Sequence, residues 1–252
     1  MSLSVILITK NEEANLKDCL ESVSFANEII VVDSQSSDKT QEIAKSFGAK
    51  LEIRADWPGF GPQKNRALNL ATQEWVLSID ADERVTPALK EEILKVISSK
   101  ESANCYAIPR SSWYCGRFMK HSGWYPDYVD RLFKRGTAKF SDHLVHERLL
   151  PEGPVGQLQN HFLHYSYRNF EQVLKKVDSY SSASALQAFN KGQRGGFGQA
   201  FIHGFWAFFR TYLLRRGFLD GKYGLALAVS NAATSYYKYI KLWQLSNQKS
   251  ER

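Results

Sequence analysis

The sequence predicts an α/β protein: a doubly wound, mostly parallel sheet with helices on both faces, followed by a C-terminal helical region suited to membrane association. Three observations predict it. Short apolar runs of strand length alternate with longer helix-period segments through residues 1–100. Those runs are apolar on both faces, as strands covered by helices are. From Asn169 onward the pattern is helical, basic and aromatic.

Leu3–Thr9 (LSVILIT) is the first strand, and Asn15–Val23 has helix spacing at Leu16, Leu20 and Val23. Glu28–Asp33 (EIIVVD) is the second strand, and Lys39–Phe47 a helix ended by Gly48. Lys50–Ile53 is a short third strand, Gln63–Thr72 a helix, and Trp75–Asp80 (WVLSID) the fourth strand. Pro87 opens another helix, where its fixed φ is tolerated in the first turn. From Tyr106 to about His164 short β-like pieces such as DYVDRLFKRG continue the same domain without a linker. The helical part is interrupted at Lys191–Gly196, so the expected division is 1–165 and 166–252.

Hydrophobic residues are 43% and charged residues 23% of the 252, which excludes a disordered chain or a collagen-like one. Cys19, Cys105 and Cys115 form no even framework and no C-x-x-C pair, so no disulfide scaffold and no zinc site is indicated. The start, MSLSVILITKNEE, lacks a basic n-region and reads as a first strand in a reducing cytosol. Charge is divided unevenly. Residues 1–164 hold 20 Lys/Arg against 22 Asp/Glu, and residues 165–252 hold 13 against 4, so the +7 excess lies in the last third. That third also carries 18 of the 33 aromatic residues, which points to an anionic surface, membrane or nucleic acid.

In parallel α/β sheets ligands sit at the carboxyl ends of the strands. Thr9-Lys10-Asn11-Glu12, Asp33 to Asp38, and Asp80-Ala81-Asp82-Glu83 all fall there and converge on one crevice. Asp80 and Asp82, one residue apart past a buried strand, can hold a hard divalent cation whose shell phosphate oxygens and water complete; an isolated D-x-D is also a common acidic turn. Asp33 suits a base or ribose, while Ser37 or Asp38 suits a helix cap. The run Phe60 to Arg66 opens a helix, where a cation such as Lys64 meets either a diphosphate or solvent. Neither G-x-G-x-x-G nor G-x-x-x-x-G-K-[ST] is present, against a dinucleotide dehydrogenase and a P-loop NTPase.

SVILITKNEEANLKDCLESV, EIIVVDSQSSDKTQEIAKSFGAK and QKNRALNLATQEWVLSIDADE together resemble glycosyltransferase family 2, inverting sugar transferases of the GT-A fold. A weaker likeness runs through WYPDYVDRLFKRG and HLVHERL to HFLHYSYRNF. Within the family the likeness is to the lipopolysaccharide core transferases that add β-linked glucose to an inner-core heptose. The resemblance implies a GT-A catalytic domain over 1–165, its nucleotide-sugar half at 1–100 and acceptor half at 101–165. It further implies that Thr9, Asn11 and Glu12 line the nucleotide pocket, that Asp33 binds uracil or ribose, and that Lys64 and Asn65 lie near base or diphosphate. Asp80 and Asp82 match the D-x-D, with Asp82 the direct ligand of Mg²⁺ or Mn²⁺. Lys64 stands where many relatives carry Arg, keeping the charge and losing the bidentate fork. The resemblance also implies a UDP-sugar as donor and a lipopolysaccharide core or other lipid-linked glycan as acceptor.

Inversion needs a carboxylate base within reach of the acceptor hydroxyl. The candidates are Asp127, Asp130, Asp142 and Glu147. Glu147, in Val145-His146-Glu147-Arg148, is similar to an H-E element of related transferases and is preferred; Asp127, beside Trp124-Tyr125-Pro126, comes next. The alternative for Glu147 is a surface ion pair. His161 and His164 alternate along a strand, and His164 is the one to complete a metal shell, against a plain hydrogen-bonded pair. Phe197–Leu214 suits a helix lying in a membrane interface, against a bitopic span or a buried core helix. With it goes peripheral attachment to the inner face of the cytoplasmic membrane. The alternatives to a glycosyltransferase are a nucleotidyltransferase and a nucleic-acid-binding protein. The latter leaves the acidic strand ends unexplained, so no nucleic acid is expected.

Overall fold

The run Leu3–Thr9 forms strand β1, and Glu28–Asp33, Lys50–Ile53 and Trp75–Ser78 form β2, β3 and β4, in the parallel order β3-β2-β1-β4. Helices α1 (Glu13–Ser22), α2 (Thr40–Ser46) and α3 (Phe60–Leu70) connect them. Leu16 and Leu20 of α1 and Ala44 of α2 are buried with Val5, Leu7 and Val31, whereas Ala67 of α3 is buried with Ile6, Ile30 and Val32. Successive strand residues point to opposite faces, so these two clusters cover the two faces of the sheet. The structure, a computed structural model, describes residues 2–99, 103–142 and 147–248.

The remaining strands make the sheet mixed. β4 pairs antiparallel with β8 (Asp127–Lys134), and β8 antiparallel with β6 (Cys105–Tyr114). With β12 (Phe162–Tyr167) and β5 (Glu83–Val85) the order becomes β3-β2-β1-β4-β8-β6-β12-β5. β7 (Arg117–Phe118) and β11 (Val155–Gln157) add to β6, while β9 (Ala138–Phe140) and β10 (Leu149–Pro151) pair separately. Parallel pairing thus holds among β1 to β4, as expected, while β4-β8 and β8-β6 are antiparallel and β11 joins β6 in parallel. Tyr106 pairs with Leu132 but Ala107 with Asp130, so Arg131 is an extra residue in β8, a β-bulge. Helix α4 (Pro87–Ser98) starts as predicted, with the Thr86 hydroxyl accepting from Leu89 N. α3 starts at Phe60 rather than Gln63 because Pro62 falls in its first turn, where no N–H is needed. β4 stops at Ser78, which leaves Asp80 and Asp82 in the loop beyond it.

The chain divides into two compact units, Met1–Arg110 with Asp127–His164, and Ser111–Pro126 with Tyr165–Arg252. The second unit takes the chain from Tyr165 onward and also 111–126, which the sequence pattern alone places in the first part. There Tyr114 is wholly buried, with the rings of Trp124, Tyr167 and Phe170 at 5.5, 5.9 and 5.9 Å. Helices α5 (Phe170–Asn190), α6 (Phe197–Phe209) and α7 (Gly221–Gln248) make up the rest, with α5 and α6 separated at the predicted break. Val173 and Val177 of α5 meet Leu227 of α7 around Tyr114, and Ala185 and Ala188 meet Leu242. Among the described residues no helix is long and apolar enough to cross a membrane.

Gly61, in the first turn of α3, faces the backbone of Ser141: a Cβ there would lie 1.8 Å from Ser141 O. In a free helix Gly→Ala stabilises by about 0.5–1 kcal/mol. Here Gly61→Ala should instead destabilise by about 1–3 kcal/mol through overpacking. A lowered urea midpoint with unchanged slope is the expected result; a neutral or stabilised variant would contradict this packing.

Candidate active site

At the ends of β1 and β2 the polar residues first serve each other. Thr9 Oγ1 donates to Asp33 Oδ2 at 2.8 Å. Asp33 is wholly buried and also accepts from Ser36 N (2.8 Å), Ser36 Oγ (2.5 Å) and Gln41 Nε2 (2.8 Å). The carboxylate expected to face a ligand is therefore enclosed. A nucleotide reaches it only if Ser36 or Gln41 gives up its bond. Asn11 takes the left-handed conformation (φ 55°), which its side chain tolerates. Its Oδ1 accepts from Ser37 N at 2.8 Å, and its N–H donates to Ser36 Oγ at 2.8 Å, tying the two loops together. Asp38 accepts from Thr40 N of α2 (3.0 Å) and Glu13 N of α1 (3.1 Å), so it serves both helix starts. Glu12 Oε2 accepts from Asn15 Nδ2 at 2.8 Å.

Ile8, Thr9, Lys10, Glu12, Trp57 and Phe60 line a cleft of about 570 Å³. Trp57 and Phe60 meet edge to face at 5.0 Å, giving it apolar walls suited to a nucleobase. Phe60 and Lys64 are four residues apart on α3 and share a face. Lys64 lines a second cleft of about 790 Å³, with Asp80, Arg110, Asp127, Asp130, Arg131, Glu147 and Arg148 among its walls.

The second cleft rests on a chain of alternating charges. Lys64 Nζ lies 3.0 Å from Glu147 Oε1 and 3.1 Å from Asp80 Oδ1. Asp80 Oδ2 is held by Arg131, which also reaches Glu83 Oε1 at 3.2 Å. Arg110 Nη1 lies 3.5 Å from that same Glu83 oxygen, and Arg110 Nε donates to Asp127 Oδ2 at 3.0 Å. Lys64, Glu83 and Arg131 are buried. Burial alone would raise the pKa of Asp80, but Arg131 and Lys64 outweigh it and hold the carboxyl well below the usual range. Glu83 accepts from Asp80 N at 3.0 Å, which fixes the turn carrying the D-x-D.

That chain bears on the metal assignment. Both oxygens of Asp80 are engaged, one by Lys64 and one by Arg131, so Asp80 would ligate a cation only by giving up one of those pairs. Asp82 is differently placed. β5 and β12 pair with Glu83 opposite His164, and His164 Nε2 lies 3.4 Å from Asp82 Oδ2. Among the described residues no group of three or more His, Cys, Asp or Glu could hold a metal. A carboxylate and an imidazole are what the chain offers, which fits a divalent cation taking its other ligands from phosphate oxygens and water. His161 precedes the strand, and burial lowers its pKa.

Asn65 is also engaged within the protein. Its Nδ2 donates to Phe140 O and its Oδ1 accepts from Phe140 N, both at 2.9 Å, so its amide secures β9 and is not aimed at a nucleotide. Of the candidate bases, Glu147 is paired with Lys64, and Asp127 with Arg110. Asp130 lines the cleft, and burial raises its pKa. Asp142 is exposed and does not line the cleft. Val145 and His146 of the H-E element lie outside the described residues. Sequence reasoning missed Arg110, Arg131 and Trp57. Only the exposed aromatics of Trp57-Pro-Gly-Phe60, leading into α3, offered a signal.

The sequence model of the family described as "Glycosyl transferase family 2" matches residues 4–152. The lipopolysaccharide core biosynthesis glycosyltransferase LpsC of Rhizobium meliloti is 31% identical over 257 residues, spanning 95% of this chain and 93% of LpsC. An uncharacterized glycosyltransferase of Rickettsia bellii is 30% identical over 258 residues, spanning 98% of this chain and 87% of its own length. Among solved structures, S. aureus TarS 1–349 in complex with UDP-GlcNAc covers 99% of this chain and 92% of its own at a TM-score of 0.51 and 14% identity. That likeness shows the fold, which is of the GT-A type.

Arg131→Met should cost about 3 kcal/mol by leaving buried Glu83 and part of Asp80 without their main cation. Because the folded-state pKa of Asp80 is depressed, its pairing stabilises fully above the unfolded value of about 3.9 and is lost as pH falls below it. Denaturant curves of wild type and variant should therefore draw together below about pH 4. A gap that stays constant would assign the cost to packing instead.

Proposed function

The chain belongs to glycosyl transferase family 2, and we propose that it moves glucose from UDP-glucose to a heptose of a lipopolysaccharide core, with inversion at the anomeric carbon. The observation that carries the proposal is Lys64, which joins the carboxylate of Glu147 to that of Asp80 within one cleft. An inverting transferase needs this pairing of an acceptor-side base with a donor-side D-x-D. The kinship with LpsC supports the lipopolysaccharide core as acceptor. TarS, solved with UDP-GlcNAc, has this fold, which is in keeping with a UDP-sugar donor.

Uridine occupies the cleft walled by Trp57 and Phe60, with Thr9, Asn11, Glu12 and Asp33 at its end. Lys64 faces the diphosphate while orienting Glu147. Glu147 accepts the proton of the acceptor hydroxyl as that oxygen attacks the sugar, opposite the departing UDP. Oε1 of Glu147 takes the Lys64 contact, and Oε2 has no hydrogen-bond partner among the described residues, so it is available for that proton. Asp127, held by Arg110, orients the acceptor. Asp82 and His164 would hold a Mg²⁺ or Mn²⁺, which would supply positive charge for the leaving diphosphate. The enzyme works peripherally at the inner face of the cytoplasmic membrane, where a lipid-linked acceptor is presented.

Glu147→Gln should lower transfer by about 10²–10⁴-fold while leaving UDP binding within error of wild type. Asp82→Ala should abolish transfer together with the metal-dependent part of UDP binding. Radiolabelled transfer to truncated lipopolysaccharide, with thermal shifts by UDP with and without Mn²⁺, measures both. Full activity in Glu147→Gln would remove it as the base, and stabilisation by UDP that ignores Mn²⁺ in wild type would remove the metal.

A further inference from the structure

We propose that the α6 face of the second unit docks on an anionic lipid bilayer, with its apolar stripe at the headgroup–acyl boundary and its arginines on lipid phosphates. Phe201, Ile202, Phe205 and Trp206 are 64%, 68%, 70% and 50% exposed. Their spacing places them on one side of α6, while Ala200, Gly204 and Ala207 are buried. Gly204 lets α6 lie close on α7: a Cβ there would come within 3.4 Å of Ala232 O. The helix is thus seated by its small residues and presents its large ones outward. Beyond it, Leu213, Leu214, Phe218 and Leu219 are exposed as well. Soluble surfaces seldom leave so much contiguous apolar area uncovered.

The charge around the stripe selects the occupant. Between Asp178 and Glu251 the chain has one acid, Asp220. It is wholly buried, accepts from His121 N at 2.9 Å and Lys120 N at 3.2 Å, and lies 3.8 Å from Arg117. The exposed positions of α6, α7 and their connection therefore carry only positive charge. Arg210, Arg215 and Arg216 are exposed at the end of the stripe, and neither Arg210 nor Arg216 makes an ion pair among the described residues. A second copy of this chain would bring like charge to like charge. A nucleic acid would satisfy the arginines and leave the aliphatic stripe wet. A bilayer containing anionic lipid satisfies both, as interfacial helices do.

This inference deepens the proposed function, since it brings the chain to a lipid-linked acceptor, but its test needs neither donor nor acceptor. The full chain is sedimented with vesicles of phosphatidylcholine, or of phosphatidylcholine mixed with phosphatidylglycerol. Binding should favour the mixed vesicles and weaken with added salt. Phe205→Glu should lower affinity by about tenfold or more. Arg210→Gln with Arg216→Gln should lower it by about 25-fold, roughly fivefold for each charge. All three positions are exposed, so thermal unfolding of the variants should match wild type. Equal affinity of wild type and Phe205→Glu, or indifference to phosphatidylglycerol, would overturn the proposal. So would a dimer in sedimentation equilibrium that Phe205→Glu dissolves, which would give the face to a second copy. A chain that binds vesicles but transfers no sugar would refute the proposed function and leave this surface standing.

Discussion

The charge chain from Glu147 through Lys64, Asp80, Arg131 and Glu83 to Arg110 and Asp127 is the constraint on which the site depends. Taking an ion out of water costs several kcal/mol, and only a well-aligned opposite charge offsets it. Here every buried member has such a neighbour on either side. Their backbones belong to α3, the loop after β4, and the strands β5, β6 and β8, with Glu147 just ahead of β10. A shift of α3 against the loop after β4, or of β8 against β5, would strand a buried charge. Buried ion pairs generally add little net stability beyond what apolar residues would give, but removing one partner is strongly destabilising. The same contacts that fix the sheet hold Asp80 and Glu147 apart at the distance spanned by one ammonium group.

How much of this was legible beforehand follows from which interactions are local. The strands β1 to β4 and their helices announce themselves because burial on both faces writes an unbroken apolar run, and LSVILIT, EIIVVD and WVLS are such runs. The convergence of Thr9, Asp33 and Asp80 on one edge follows from parallel order alone. Arg131 could not be found that way. In DYVDRLFK strict alternation would give Arg131 the same side as Val129 and Phe133, but the bulge opposite Tyr106 and Ala107 breaks the count at that very residue. Bulges depend on a partner strand distant in sequence, so nothing within β8 reveals one. The hairpin 111–126 escaped for a related reason. It is continuous in sequence with the first unit, but its Tyr114 finds its core among Trp124, Tyr167 and Phe170.

Polar residues at the strand ends divide according to what they satisfy. Asp33, Asn11, Asp38 and Asn65 resemble ligand-binding residues by position, but most of their hydrogen-bonding capacity is taken by nearby N–H and hydroxyl groups. A loop that must hold a fixed shape at a sheet edge needs such groups, because its backbone donors have no ladder to join. Thr9 and Asp33 bond to each other under the first cleft, so the aromatic pair Trp57 and Phe60 offers the open contact area there. Position at a strand end therefore marks the neighbourhood of a site more reliably than it marks the atoms that touch a ligand.

The charge chain also bears on the metal. Its carboxylates Glu147, Asp80, Glu83 and Asp127 outnumber its cations Lys64, Arg131 and Arg110 by one, and Asp82 adds another negative charge beside them. A diphosphate brought to that surface meets net repulsion, in a place where partial burial strengthens every electrostatic interaction. Lys64 alone cannot relieve it, because its ammonium already serves two carboxylates. Arg131 and Arg110 are likewise committed on both sides. Arg148 lines the same cleft and adds positive charge there; on the proposed function a cation beside Asp82 and His164 would supply the remainder. The same arrangement spends three basic side chains on folding the site, which is why the proposed function includes a divalent cation to offset part of the donor's charge.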